Sequence, residues 1–250
     1  MTSATDRWFS SPVRRTAARA QLFCLPYAGG GASVFRAWPR AFGPEVEVLP
    51  VQLPGRESRF AEPAVVDAVA VAEAIAARAD RPFAVFGHSM GGRLGFEVVR
   101  ELRRTGRELP VRLYASGARP PDVMLDDGPF DGASRVSDEE LTERLARGGG
   151  VPAEVLNEPE LLELVLPVIR TDFGWLDDYS FTEEPPLPVP VVVFAGEGDT
   201  IVTPAEITGW ARHTTAGCHV HHLPGGHFFL NDHGDELVRL IEADLLAATR

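Results

Sequence analysis

The chain has 250 residues, 44% of them hydrophobic, and a net charge of −12. That length can bury one sizeable core. An acidic chain without a basic run excludes a surface that tracks a nucleic-acid backbone or an anionic membrane, and no apolar stretch approaches the ~20 residues of a membrane-crossing helix. Every basic residue is Arg and none is Lys, which reads as coding bias. Asp6, Arg7, Arg14 and Arg15 give the first residues charge without an apolar run, so no secretory signal and a cytoplasmic location are expected. Cys24 and Cys218 each fall in or beside an apolar strand and read as small buried hydrophobes rather than a disulfide framework.

Short β-rich runs alternate with helical ones. Strands are predicted over Gln21–Pro26, Val46–Leu53, Phe83–Phe86, Val111–Ala115, Val189–Ala195 and His219–Leu223. Helices are predicted over Ala64–Arg78, Gly91–Arg104 and Asp235–Ala248, where apolar residues recur at three- and four-residue spacing. This alternation predicts a single α/β domain over 1–250, with a mostly parallel central sheet and helices on both faces. Between Gly117 and Val189 no strand is predicted, and the stretch is too long for a simple connection. It opens on Arg119-Pro120-Pro121 and offers two helices. The first is Asp138–Arg147, behind a capping box in which Ser137 caps and Glu140 reaches back. The second is Pro159–Ile169, apolar on nearly all its surface, which Pro167 should kink or end. The insertion, about 119–185, is expected to be a helical lid over the carboxyl edge of the sheet.

The segment Val85-Phe86-Gly87-His88-Ser89-Met90-Gly91-Gly92 carries the chemistry. A strand runs through a Gly-x-Ser-x-Gly turn into a helix, and such a turn holds its serine in strained backbone at the carboxyl edge of a sheet. A serine hydroxyl needs a base, and the base needs an acid to fix its tautomer and stabilise its charge. On this architecture the chain order is Ser, Asp or Glu, His. Asp199 follows the strand ending at Ala195, and His227 follows the strand ending at Leu223. Asp122, after the preceding strand, is the rival acid. Among the other histidines, His219, His221 and His222 lie within a strand and form no convincing metal cluster, and His88 is expected to pack beside its strand. The oxyanion hole requires two backbone N–H groups, assigned to Met90 and to Ala28 in Pro26-Tyr27-Ala28-Gly29-Gly30-Gly31. A phosphate cradle on that glycine run would need the lysine this chain lacks. Arg100, Arg103, Arg104 and Arg107 read as a solvated helix end, with a docking patch as the sharper alternative.

Five segments share one wider pattern: Leu22-Phe23-Cys24-Leu25-Pro26-Tyr27-Ala28-Gly29-Gly30-Gly31, Leu53-Pro54-Gly55-Arg56-Glu57, Gly87-His88-Ser89-Met90-Gly91-Gly92, Leu166-Pro167-Val168-Ile169-Arg170-Thr171-Asp172-Phe173, and Gly225-Gly226-His227-Phe228-Phe229-Leu230. Together they resemble the type II thioesterases, free-standing α/β-hydrolases that work beside polyketide synthases and nonribosomal peptide synthetases. Glu197 and Thr200 depart from the Asp and Pro that family members often carry there. The resemblance implies removal of aberrant or stalled acyl groups from the phosphopantetheine arm of acyl or peptidyl carrier domains, with no cofactor of the enzyme's own and no metal. Tyr27, Phe173, Trp175, Tyr179 and Phe228 are candidates to line the acyl and pantetheine passage. Two acidic partners gain nothing from long-range attraction, so the contact is expected to be weak and transient, made by local Arg or apolar surface of a monomer. The competing expectations are a medium-chain fatty acyl thioesterase, a general carboxylesterase and a non-catalytic binding module.

Overall fold

A computed structural model describes residues 6–10, 14–124, 128–151 and 153–250. The expected lid and the reading of the first residues both include positions outside this set. In chain order the elements are β1 (Ala20–Leu25), α1 (Trp38–Ala41), β2 (Val46–Pro50), α2 (Ala68–Arg78), β3 (Phe83–His88), α3 (Met90–Arg104) and β4 (Arg112–Ser116). Then come α4 (Asp138–Gly148), α5 (Ala153–Leu156), α6 (Pro159–Asp177), β5 (Val191–Gly196), α7 (Pro204–Ile207), β6 (Cys218–Leu223), α8 (Phe229–Asp232) and α9 (Gly234–Ala248).

The six strands pair in parallel in the order β2-β1-β3-β4-β5-β6. Parallel strands are covered on both faces, so both residue parities along each strand must be apolar. Along β1, Phe23 and Leu25 point into one core with Val71, Ile75, Leu94 and Leu102 of α2 and α3. Leu22 and Cys24 point into the other, with Trp38 of α1 and Leu237, Ile241 and Leu245 of α9. The sheet is thus a rigid plate between two helical layers, and its carboxyl edge carries the loops after β1, β3, β5 and β6. The edge strand β6 departs most from the expected burial: His219 and His222 are exposed.

Four local expectations are corrected. The helix predicted from Ala64 begins at Ala68, because the Asp67 carboxylate accepts the N–H groups of Val69 and Ala70 and caps it there. Ser137 caps α4 by accepting from the Glu140 N–H at 3.2 Å, but the Glu140 side chain pairs with Arg144 instead of reaching back. Pro167 does not end α6, which runs on to Asp177. Burial of Leu166, Ile169, Phe173 and Leu176 outweighs the local cost of about 3 kcal/mol for a helical proline. Of the arginines expected as a solvated end of α3, Arg104 and Arg107 are exposed, but Arg100 is buried and Arg103 half-buried. Arg100 is only 2% exposed and, with Arg103 and Arg104, grips Glu184, while further bonds reach the Thr182 and Pro185 carbonyls. Arg100, Arg103 and Arg104 clamp the segment leaving the 119–185 insertion onto the domain and are paired with carboxylates.

Within the insertion, the Phe130 ring stacks on Phe173 at 5.0 Å. Arg170 donates to the Ser134 and Val136 carbonyls, and Ser134 Oγ donates to Asp177 at 2.6 Å. The helices are therefore tied to one another as well as seated on the sheet edge.

Candidate active site

The turn after β3 holds Ser89 at φ 54° and ψ −117°, a left-handed conformation that costs a non-glycine residue on the order of 1–3 kcal/mol. The strain is held from both sides. The Ser89 N–H donates to the Ser116 carbonyl on β4 at 2.8 Å, and the Gly92 N–H donates to the Ser89 carbonyl at 3.0 Å. The side chain is left at the sheet edge, at the head of α3.

His227 arrives from the loop after β6. Its Nε2 lies 3.0 Å from Ser89 Oγ, and its Nδ1 lies 2.8 Å from Asp199 Oδ2. Asp199 Oδ1 accepts the N–H groups of Ile201 and Val202 at 2.8 and 2.9 Å. The two loops are clamped together, since the Glu197 N–H donates to the Leu223 carbonyl and the Gly198 N–H to that of Gly225. A carboxylate is an acceptor, so Nδ1–H donates to Asp199 and the bare Nε2 faces the serine hydroxyl. Burial works to raise the Asp199 carboxyl. The hydrogen bond and charge of His227, with the two backbone N–H groups, outweigh it and hold the carboxyl below its ordinary range.

The rival residues are placed elsewhere. Asp122 accepts from Arg212 at 2.6 Å and sits 2.8 Å from His213 Nε2, which makes a separate His–Asp pair. His88 is fully buried, its Nδ1 3.0 Å from Ser116 Oγ, and its ring lies 5.3 Å from that of His227. Burial first, and then the neighbouring His227 charge, push its pKa well down, so it stays neutral beside His227. Among the described residues no three His, Cys, Asp or Glu side chains gather as a metal site, and no helix is long and apolar enough to cross a membrane.

Neither the Met90 nor the Ala28 N–H donates to any described residue, whereas the neighbouring Gly29 N–H is taken by Asp172 Oδ2 at 2.7 Å. Two free donors therefore flank Ser89. Beside them is a cavity of about 60 Å³ bounded by Tyr27, Ser89, Phe130, Phe173, His227 and Phe228. Trp175 and Tyr179 are not part of it: the Tyr179 hydroxyl donates to Glu97 at 2.7 Å and Arg93 lies over its ring. Phe130 and Gly149–Val151 complete the wall and were not anticipated, although the run Gly148-Gly149-Gly150 was a visible signal of close backbone approach. A second, open cleft of about 460 Å³ shares Tyr27 and Gly150 with this cavity and spreads toward Phe60, Leu161 and Leu164.

A thioesterase-domain profile matches residues 20–245. The chain belongs to the thioesterase family. The thioesterase is 36% identical over 247 residues to linear gramicidin dehydrogenase LgrE of Brevibacillus parabrevis, covering 96% of this chain and 93% of that protein. Among solved structures it superposes on RedJ, a thioesterase from the prodiginine biosynthetic pathway of Streptomyces coelicolor, with a TM-score of 0.84 and 36% identity over 94% of this chain and 93% of the other. It superposes equally on the type II thioesterase BorB from the borrelidin biosynthetic cluster, with a TM-score of 0.84 and 34% identity over 98% and 100% of the two chains. The thioesterase is thus a thioester hydrolase of the α/β-hydrolase fold, and its relatives serve peptide and polyketide biosynthesis.

Proposed function

We propose that this thioesterase removes short, aberrant or stalled acyl groups from the phosphopantetheine arm of acyl or peptidyl carrier domains in the cytoplasm, acting as a monomer with Ser89, His227 and Asp199 as its catalytic residues. The observation that carries the reading is the hydrogen-bonded chain Ser89–His227–Asp199 opening onto a cavity of about 60 Å³. At 10–15 Å³ for each water-sized occupant, that is room for about four to six heavy atoms, enough for an acetyl, propionyl or butyryl group.

In this reading Ser89 Oγ attacks the thioester carbonyl while His227 Nε2 takes its proton, and Asp199 stabilises the imidazolium. The tetrahedral oxyanion is held by the Met90 and Ala28 N–H groups. Collapse breaks the carbon–sulfur bond, and the thiol leaves with the proton from His227. A water deprotonated by His227 then attacks the acyl-serine, the bond from the acyl carbon to Ser89 Oγ breaks, Oγ takes the proton back from His227, and the carboxylic acid departs. The chemistry draws on side chains, backbone and water alone. The insertion acts as the lid, and the open cleft, which shares its Tyr27 wall with the acyl cavity, admits the pantetheine arm.

The dehydrogenase in the name of the Brevibacillus relative is not carried over. After Gly29-Gly30-Gly31 the chain continues Ala32-Ser33-Val34, without the third glycine of a dinucleotide fingerprint. The Gly29 N–H, moreover, is occupied by a carboxylate.

The test is acid release from carrier protein loaded with acetyl, propionyl or longer acyl groups, using wild type and Ser89→Ala beside a matched oxygen ester. Rapid release of short groups that vanishes in Ser89→Ala is expected. Preference for long chains would assign the open cleft to the acyl group and support the medium-chain reading. Cleavage of the oxygen ester alone would point to a carboxylesterase.

A further inference from the structure

We propose that Arg56 and Asp172 are positioning residues that set the Ala28 oxyanion donor, so that the hole is complete only when helix α6 is seated. This rests on the assignment of Ser89 as nucleophile. Arg56 lies in the loop after β2 and Asp172 on α6, and they meet as a fork: Nη1 to Oδ2 at 2.6 Å and Nη2 to Oδ1 at 2.8 Å. Their side chains are 5% and 0% exposed. The pair does not close on itself. Asp172 Oδ2 also accepts the Gly29 N–H at 2.7 Å, and Arg56 Nη1 also donates to the Gly30 carbonyl at 2.9 Å. The peptide joining Ala28 to Gly29 is therefore fixed by α6, and the Gly30 carbonyl by Arg56, while the Ala28 N–H itself stays free.

Contact reinforces the coupling. Gly29 has φ +78°, and a Cβ there would lie 2.6 Å from Ile169 Cγ1, one helical turn before Asp172. The loop can approach α6 this closely only as glycine.

The charges explain why a pair stands here. A buried apolar contact would hold the helix equally well and cost less desolvation. It would not accept the Gly29 N–H. A lone carboxylate would accept it, but would put a negative charge beside the developing oxyanion. Arg56 cancels that charge, and its bidentate geometry fixes the carboxylate orientation.

Three variants test this: Asp172→Asn, Arg56→Met and the conservative Arg56→Lys. Each is counted by titration of Ser89 with a fluorophosphonate, and kinetics on propionyl-carrier protein are expressed per titrated site. A short alkyl boronic acid, which forms a tetrahedral adduct on the serine, supplies an oxyanion mimic. The expected result is a kcat per site lowered about 10–100-fold in Asp172→Asn and Arg56→Met, with KM changed by less than about threefold. Boronate affinity should fall in parallel with kcat, and Arg56→Lys should lie between. Unchanged kcat per titrated site, or loss confined to the number of titratable sites, would reduce the pair to a structural tie and overturn the proposal. Failure of wild-type Ser89 to label would instead overturn the nucleophile assignment.

Discussion

A Cβ on Gly87 would stand 1.9 Å from the carbonyl oxygen of Gly91. The elbow around Ser89 is closed this tightly because only Ser89 separates the end of β3 at His88 from the start of α3 at Met90. Gly91 faces a second wall, since a Cβ there would lie 2.3 Å from the Leu25 carbonyl at the end of β1. Both obstacles are backbone and cannot rotate away. Gly87→Ala and Gly91→Ala are each expected to cost about 3 kcal/mol or more, a drop of roughly 6–12 °C in Tm. Ser89 should lose labelling by a fluorophosphonate even in the folded fraction. Near-native Tm and labelling in either variant would show that the elbow relaxes more easily than its geometry requires.

The elbow was readable because everything it needs is local: an apolar strand, small residues and a helix within ten positions or so. Asp199 and His227 were readable for a related reason, as each directly follows a strand and all parallel strands end on the same edge. What escaped was non-local. Arg100 looks like a solvated helix-end arginine until Glu184 is seen to fold back onto it. Arg56 and Asp172 each sat in a segment specific to the family, but nothing in either segment states that they meet. Pro167 follows the local rule for ending a helix, and packing overrode it. The Trp175 assignment failed on phase and the Tyr179 assignment on the helix end. Trp175, two positions past Phe173, is about 200° around the helix from it, and Tyr179 lies beyond the end of α6 at Asp177, against Glu97 and Arg93. The phase signal was present in the sequence, and the aromatic composition masked it.

Asp199 and Asp122 each hold a histidine nitrogen at 2.8 Å, and only one of those histidines faces a serine. Asp199→Asn removes the acceptor that keeps the Nδ1–H tautomer and should lower kcat by about 10⁴. Asp122→Asn should leave kcat within about threefold. Asp199 is held ionised at any ordinary assay pH by the groups that depress its pKa, so this ratio should not change with pH above the carboxylate range. Equal losses in the two variants, measured on propionyl-carrier protein, would revive Asp122 as the acid.

Glu184 carries a pH dependence of stability. Burial acts to raise its carboxyl, but the hydrogen bonds of Arg104, Arg100 and Arg103 prevail and move it from the ordinary 4.5 down to about 2. A pKa depressed by folding stabilises in full above the unfolded value, and that stabilisation is lost as pH falls through the folded one. Glu184→Gln should therefore lower Tm by roughly 4–8 °C near neutrality, from about 2 kcal/mol of charge-assisted hydrogen bonding. The gap between wild type and variant should hold down to about pH 5 and close as the pH approaches about 2. A gap that stays constant through that window would mean the clamp acts by packing and not by charge.

Phe130 and Phe173, stacked at 5.0 Å, form the wall of the Ser89 cavity opposite His227 and Phe228. Their rings limit acyl length in the proposed function, because they bound a cavity of about 60 Å³, room for about four to six heavy atoms. Phe130→Ala is the cleaner probe, as Phe130 is only partly buried and makes no hydrogen bond of the Arg56–Asp172 pair. Phe173→Ala removes a buried ring and should cost about 3 kcal/mol of stability as well. Each methylene accommodated in an apolar pocket is worth roughly tenfold in discrimination. In Phe130→Ala the ratio of kcat/KM for hexanoyl over propionyl should therefore rise at least tenfold, chiefly through faster hexanoyl release. Propionyl release should fall only modestly, since Ser89, His227, Asp199 and both backbone donors are untouched. If all chain lengths slow together, the cavity is not the acyl site, and the open cleft beyond Tyr27 becomes the place to look for it.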